Sequence, residues 1–422
     1  MTPEEVTRAG LEALESLSAP HGVLASDLAT GLYPTLYGRD SLWVVLLLAE
    51  AERLRSDQRV SATLQALGPR ILTALGDLQG DSSNDLVEEQ PGRIPHEYHP
   101  EPTAHALAMG LPLDRGRSYG GFDETFLFVL TYDRFVRVFP DHPVADEALA
   151  QVARALRWID EEADPDQDGL CEYTRRNPDN LLNQVWKDSF DSATHTGFDV
   201  PPQPLAWVEV QGYAFAALRA AARLAGRLSR SGVVVSTDDL DRRATALAER
   251  VDEVFWLGPD EGMAMAVDGR KRPVRMASSN PGHALWSGVV LPHRVDPLVR
   301  RMQRADLLSP YGLRTLSRDS PFYAPFAYHR GAIWPFDNAV FALGLARHGR
   351  LRDAIGVARA VTGSLERFGS PVECYVALDP VDLLDGSSGP LLARRQWPPH
   401  NRVQAFSAAA MVVFGALLEM SE

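Results

Sequence analysis

Helical periodicity recurs through this chain from end to end, and no period-two alternation persists long enough to build a major sheet. Apolar residues fall at i, i+3, i+4 and i+7 over 2–17, 40–54, 59–76, 123–139, 143–162, 207–228, 236–256, 281–290, 295–307, 337–348, 351–367 and 403–420. Several of these segments are rich in Ala and Leu, which helices favour. Asp, Ser or Pro opens many of them, at Asp123, Pro143, Ser236, Pro281 and Asp337. Short extended pieces are expected only at 169–173 and 263–265. The spacing therefore predicts an all-α chain of about twelve helices.

Long connections separate the helices, notably 80–102, 164–204 and 308–335. They are rich in Pro, Gly, Asp, Trp and Tyr. Loops of that length are uncommon without a functional reason. No Gly/Ser or Pro-repeat linker divides the chain, so residues 1–422 read as one domain. Twelve helices with long aromatic and acidic loops suit an (α/α)6 toroid, six inner helices within six outer, with a cavity at one mouth.

The net charge of −14 argues against non-specific nucleic-acid binding, which needs a basic surface, and is compatible with a neutral sugar ligand. Two cysteines, Cys171 and Cys374, exclude a disulfide scaffold by number. No zinc spacing such as CxxC occurs, nor a phosphate-cradling or dinucleotide fingerprint. The N-terminus lacks the basic and apolar regions of a secretory signal, and the apolar run 42–49 is too short to span a bilayer. A cytoplasmic protein with no membrane partner is expected. Oligomeric state is not readable.

The densest stretch of chemistry runs from Asp164 to Tyr213. Asp164, Asp166, Asp168 and Gly169 look like the start of a calcium loop, but Arg175 stands where the closing glutamate belongs, so a solvated acidic turn is the plainer reading. Further on, Trp186-Lys187-Asp188-Ser189-Phe190-Asp191 sets two carboxylates beside an indole. Glycoside hydrolysis needs one carboxylic acid to protonate the leaving oxygen and a second carboxylate to activate water or attack carbon. An acid among aromatics has a raised pKa, as a general acid requires. Spacing alone is equally compatible with a capping or surface Asp.

The string NQVWKDSFDS, followed by PLAWVEVQGYAFAALRAAARLA, resembles the amylo-α-1,6-glucosidase and debranching-enzyme-like glycosidases. That clan of (α/α)6 enzymes includes glucoamylases and the mannosylglycerate/glucosylglycerate hydrolases of glycoside hydrolase family sixty-three. Other stretches carry the same resemblance in family order: Tyr37–Leu42 (YGRDSL), Gly92–Glu97 (GRIPHE), Gly121–Thr125, Ser279–Gly288 (SNPGHALWSG), Tyr328–Asn338 (YHRGAIWPFDN) and the closing stretch from Gln396 to Ala405. Together they span about residues 33 to 415.

The resemblance implies an inverting hydrolysis of an α-glycoside, with no metal or organic cofactor. Its general acid, the Asp of a Trp-X-Asp motif, carries over to Asp188. Aligning instead on a Ser-Gly-aromatic pattern points to Asp191. Its general base carries over to Glu373 in Pro371-Val372-Glu373, where Val372 departs from the family's Pro-Glu pairing. The two carboxyls would stand roughly 6.5–9.5 Å apart to admit a water.

Substrate contacts are expected from Tyr37, Arg39, Asp40, His96, Glu97, Trp186, Lys187, Glu209, Gln211, His283, Trp286, His329, Arg330, Trp334 and Gln404. Arg39 and Asp40 offer a charged fork and an acceptor for adjacent hydroxyls, although Asp40 would equally serve as a helix cap. Buried tryptophans are often plain core, and Glu209 and Gln211 would equally compensate a helix end. Arg330 has a structural ion pair as its alternative.

The leading substrate is an α-glucoside or related oligosaccharide. The small solutes glucosylglycerate and mannosylglycerate come next, because little of the chain is left for an additional sandwich domain. Arg115, Arg117, Arg175 and Arg176 would be their anion contacts. A non-catalytic sugar-binding member of the fold is a different class, as is an epimerase using paired histidines such as His96, His283 and His329.

Overall fold

A computed structural model describes residues 1–29, 31–101, 110, 112–195, 199–230, 232–378, 391–393 and 401–421. Thirteen α-helices occur among the described residues: α1 Pro3–Ser16, α2 Gly38–Leu54, α3 Gln58–Asp77, α4 Glu124–Val138, α5 Val144–Glu147, α6 Leu149–Glu162, α7 Val208–Arg230, α8 Thr237–Phe255, α9 Pro281–Ser287, α10 Pro292–Met302, α11 Pro335–Arg347, α12 Leu351–Phe368 and α13 Ala405–Glu419. Twelve of them match the expected segments. The thirteenth arises because the 143–162 segment breaks at Ala148.

Six helices close a ring. In order α2, α4, α7, α9, α11 and α13 pack each against the next, and α13 packs back on α2. Each inner helix but the last is followed in the chain by an outer one that packs outside it, and α1 covers α13. The sequence accounts for this division. From Gly38 to Ala51 α2 is buried at every position, as is α13 from Ala405 to Leu418, because both are apolar around nearly the whole circumference. Outer helices such as α1 and α8 bury one stripe and expose the rest. The (α/α)6 toroid is thus the observed fold, and its apolar core runs continuously from Val6 to Leu418.

Among the described residues, strands are limited to pieces of two or three residues in small antiparallel sheets. The pieces 36–37, 97–98 and 117–118 form one such sheet at the start of α2. The expected piece at 263–265 is seen as Gly262–Met263, paired with the short strand Trp256–Gly258 that follows α8. The expected piece at 169–173 is not a strand, and only Tyr173 makes a bridge, to Leu205. Asp164 instead folds that segment into a turn by accepting the backbone N–H groups of Asp168 and Gly169. No described helix is long and apolar enough to cross a membrane.

The seam between α1 and α13 joins the two ends of the chain at unusually close range. A Cβ on Gly10 would lie 2.5 Å from the Ala408 carbonyl oxygen, and one on Gly415 would lie 2.9 Å from that of Pro3. Neither neighbour is a flexible side-chain end, so a larger residue has to part the helices. Gly415→Val is expected to cost about 1–3 kcal/mol. A melting temperature lower by several degrees checks this, and an unchanged one removes the close-packed α1–α13 seam as a determinant of stability.

Candidate active site

All six inner helices begin at the same mouth of the ring. Their first turns carry Arg39 and Asp40 on α2, Glu124 on α4, Glu209 on α7, His283 on α9 and Asp337 on α11, while Gln404 immediately precedes α13. Helix N-termini carry partial positive charge and favour carboxylates.

A cavity of about 110 Å³ opens at this mouth. One buried water needs about 10–15 Å³ by the same measure, so the space can hold a single sugar ring with a small appendage. Its described lining includes Tyr37, Arg39, Asp40, His96, Glu97, Trp186, Asp188, His329, Trp334, Glu373 and Gln404. Tyr33, Leu181, Tyr328 and Phe406 complete it. Eleven of the eighteen residues singled out from sequence therefore share one hollow, Asp188 and Glu373 among them.

Arg39 organises the floor. Its Nε donates to both carboxylate oxygens of Asp123 at 3.0 Å, and a terminal nitrogen donates to Asp123 Oδ1 at 2.9 Å. The same nitrogen lies 3.2 Å from Glu124, and the other terminal nitrogen lies 3.4 Å from Asp188 Oδ2. His96 Nδ1 meets Glu124 Oε1 at 2.8 Å. A buried guanidinium is tolerable only when its charge is matched this fully. Asp40 is the third residue of α2 rather than its cap, and its Oδ1 accepts from Gln404 Nε2 at 2.6 Å.

The electrostatics differ at each carboxyl. Burial pushes Asp40 up to about 6 against the pull of Arg39. Burial also raises Asp188, which Arg39 and His96 pull back and Glu124 pushes further up. About 30% of the Asp188 side chain faces open space, so its carboxyl borders the cavity while its surroundings are dry. Glu373 is held differently. Its Oε1 accepts from the Tyr328 hydroxyl, and its Oε2 accepts from the backbone N–H of Asn401 at 2.9 Å. Both bonds stabilise an ionised acceptor.

Trp186 and Trp334 present indole surfaces to the cavity, and the His329 ring stacks on Trp334 at 5.1 Å. Trp186 Nε1 and Gln404 Oε1 are buried without a protein partner among the described residues. Buried polar atoms are normally satisfied, so these two are suited to ligand hydroxyls.

Seven of the sequence-selected residues lie elsewhere. Lys187, Glu209 and His283 are buried beneath the floor. There Lys187 Nζ donates to the Thr315 carbonyl at 2.7 Å, Glu209 accepts from Asn280 at 2.9 Å, and His283 meets Asp337 at 2.9 Å and the Tyr213 hydroxyl at 2.6 Å. Burial lowers Lys187 to about 8 and raises Glu209 to about 7. Gln211 is engaged by the backbone of Cys171 and Trp207. Trp286 packs on Trp43 with ring centroids 4.9 Å apart. Asp191 is half exposed and pairs with Arg330 at 2.6 Å outside the cavity lining. Of the four arginines weighed as anion contacts, Arg117 is buried, 3.8 Å from Glu89. Arg176 pairs with Asp85 and Glu162, Arg175 donates to the Asn180 carbonyl, and Arg115 pairs with Asp114.

At the calcium-like turn the Lys271 ammonium lies 2.8 Å from both Asp166 and Asp168 and 2.9 Å from Glu172. A protein cation therefore occupies the space between those carboxylates. The closing segment 396–400 lies outside the described residues.

Sequence reasoning passed over Asp123, Glu124 and Tyr328, although all three stand inside motifs it had singled out. Tyr328 directly precedes His329, and its position in an aromatic run next to a helix start was the available signal.

The same architecture occurs in solved structures. The GH63 mannosylglycerate hydrolase from Thermus thermophilus, in complex with Tris and D-glycerate, superposes with a TM-score of 0.66 at 16% identity, covering 97% of this chain and 99% of that one. The complex of that hydrolase with glucose gives 0.64 at 17% with the same coverage. An uncharacterized conserved protein from the same organism gives 0.65 at 18%, again over 97% and 99%. No curated protein sequence matches the chain. A sequence profile of the mannosylglycerate hydrolase MGH1-like glycoside hydrolase domain matches residues 81–377, well over half of the chain, so this protein belongs to that family of glycoside hydrolases.

Proposed function

We propose that this glycoside hydrolase cleaves a small α-linked hexoside with inversion, using Asp188 as general acid and Glu373 as general base. The observation that carries the reading is that both carboxyls line one sugar-sized cavity in opposite electrostatic settings. Burial raises Asp188, the direction a proton donor needs, and Glu373 accepts from two donors, as a carboxylate does. In the reaction Asp188 gives its proton to the glycosidic oxygen as the bond to the anomeric carbon breaks. Glu373 takes a proton from the water that attacks the opposite face. Asp40, Gln404, Trp186 and Trp334 would hold the hexose.

Family membership and the size of the cavity favour glucosylglycerate or mannosylglycerate. A second reading, a neutral α-glucoside such as isomaltose or kojibiose, also has support. Arg39 is the only arginine or lysine among the described lining residues, and it is committed to Asp123, Glu124 and Asp188, which leaves no such cation free for a glycerate carboxylate. A kinetic panel of these four substrates separates the readings. Activity confined to the neutral sugars would discard the glycerate substrates.

Asp188→Asn and Glu373→Gln should each lower kcat by about 100-fold or more, since general acid or base catalysis contributes roughly 10²–10⁴. Near-normal turnover in Asp188→Asn would move the acid role to another group. Proton NMR of the first-formed product should show the β-anomer, and an α-anomer would rule out a water-activating base.

The basic limb of kcat/KM against pH should lie above the ordinary aspartate range. Asp188 acts while protonated, and burial raises its pKa, so activity persists past about pH 4 and falls as pH rises through the raised value. A limb at or below the ordinary value would contradict this role.

A further inference from the structure

The segment that carries Asp188 belongs to no helix or strand. A general acid needs fixed geometry, and loops supply less of it than helices do. Side chains pin this one. Ser189 Oγ meets His329 Nδ1 at 2.7 Å, and Asn183 donates to the Ser189 carbonyl at 2.8 Å. Both anchors lie on the outer side of Asp188. On its inner side the next residue is Lys187, completely buried.

The target of Lys187 is informative. The Thr315 carbonyl that accepts from its Nζ belongs to a strip of backbone leading to the other candidate catalytic carboxylate. Thr315 N–H donates to the Ala332 carbonyl at 3.0 Å. The neighbouring Ile333 pairs with Tyr375 through two bonds, of 2.8 and 3.0 Å. Tyr375 stands two residues beyond Glu373. Lys187 thus connects the loop of the acid to the segment of the base through one side-chain bond and one short ladder. Asp337 and Glu209, at the starts of α11 and α7, act electrostatically on its charge. It also lies 4.9 Å from the Trp186 ring centroid, and Trp186 is itself stacked on His283 at 5.5 Å.

We infer that Lys187 is a positioning residue that sets the gap between Asp188 and Glu373 by tying the loop of the acid to the backbone of the base. This rests on the assignment of those two carboxyls proposed above. The charged residues beneath the floor thereby gain a role, because they hold the tether in place without touching sugar.

The test exploits leaving-group chemistry. In an α-glucosyl or α-mannosyl fluoride the C–F bond breaks with fluoride keeping the electron pair, water forms the new C–O bond, and Glu373 takes the water's proton. Protonation by Asp188 is nearly dispensable there. Lys187→Met keeps length and removes the tether. Misplacing a reacting group by about 1 Å costs roughly 100-fold, so kcat on the natural α-glycoside should fall by about that factor with KM little changed. The hexosyl fluoride should recover most of the loss, as it should for Asp188→Asn.

Equal losses on glycoside and fluoride, or unchanged glycoside turnover, would overturn the positioning role. If Asp188→Asn hydrolyses glycosides normally, the assignment of the acid fails first, and the two failures are thereby told apart. Should Lys187→Met not fold, Glu209→Gln weakens the same ammonium site with near-identical shape, and the same selective loss on the glycoside is expected. Its absence there would also reject the inference.

Discussion

Six inner helices that all start at one mouth are the constraint from which the rest of the site follows. Each contributes its unsatisfied N–H groups and the positive end of its dipole to the same small volume. Acidic side chains are therefore tolerated better there than anywhere else in the core. Asp40, Asp123, Glu124, Glu209, Asp337 and Glu373 are all buried. Elsewhere in a protein interior such a concentration of carboxyls would force most of them to take up protons. At this mouth Arg39 and His96 hold the Glu124 carboxyl low against its burial, while burial pushes Asp40 and Glu209 up.

That contrast is what the proposed acid and base require of two chemically similar side chains. Arg39 contacts Asp188 through only one nitrogen, at 3.4 Å, because its other donors are committed to Asp123 and Glu124. A full bidentate pair would have pulled Asp188 down, against the upward push of burial. Glu373 instead meets a phenol and a backbone amide, donors that favour its ionised form. Buried ion pairs such as those of Arg39 contribute little net stability, since desolvation offsets the attraction. Their effect is to restrict how the loops at the mouth can be arranged. The apolar contacts of the inner ring supply the stability against which that restriction is held.

The fold was legible because it depends on periodicity, and periodicity survives in a single sequence. The division into inner and outer helices could also be read, since α2 and α13 are apolar all round while α8 keeps a charged face. The site was legible only in part. Tyr37, Arg39, Asp40 and Gln404 stand at the beginnings of inner helices and reach the cavity. Glu209, Gln211 and His283 stand at equivalent positions and point beneath it. A helix start presents residues on every side, and one or two positions separate the cavity from the axis below. Sequence spacing fixes the turn on which a residue sits, whereas its direction depends on the rotation of the helix within the ring. Tyr328 was missed for a related reason. In an aromatic run next to a helix start, core packing and site chemistry look alike until the carboxylate it meets is known.

Structures at 16–18% identity keep this architecture over nearly the whole chain. The ring closure and the shared polarity of the helix starts need only apolar volume and a few acceptors, which many sequences provide. Aglycone selection makes a stricter demand, because it needs particular side chains on the long connections above the mouth. Loops diverge more readily than the elements that carry them. The floor of the cavity and the connections above it are thus under different physical constraints. The floor cannot alter a single charge without disturbing several carboxyls at once, since Arg39 contacts three of them. Those connections can change one residue at a time, and differences in substrate between members of such a fold should therefore arise there while the proposed acid and base below stay in place.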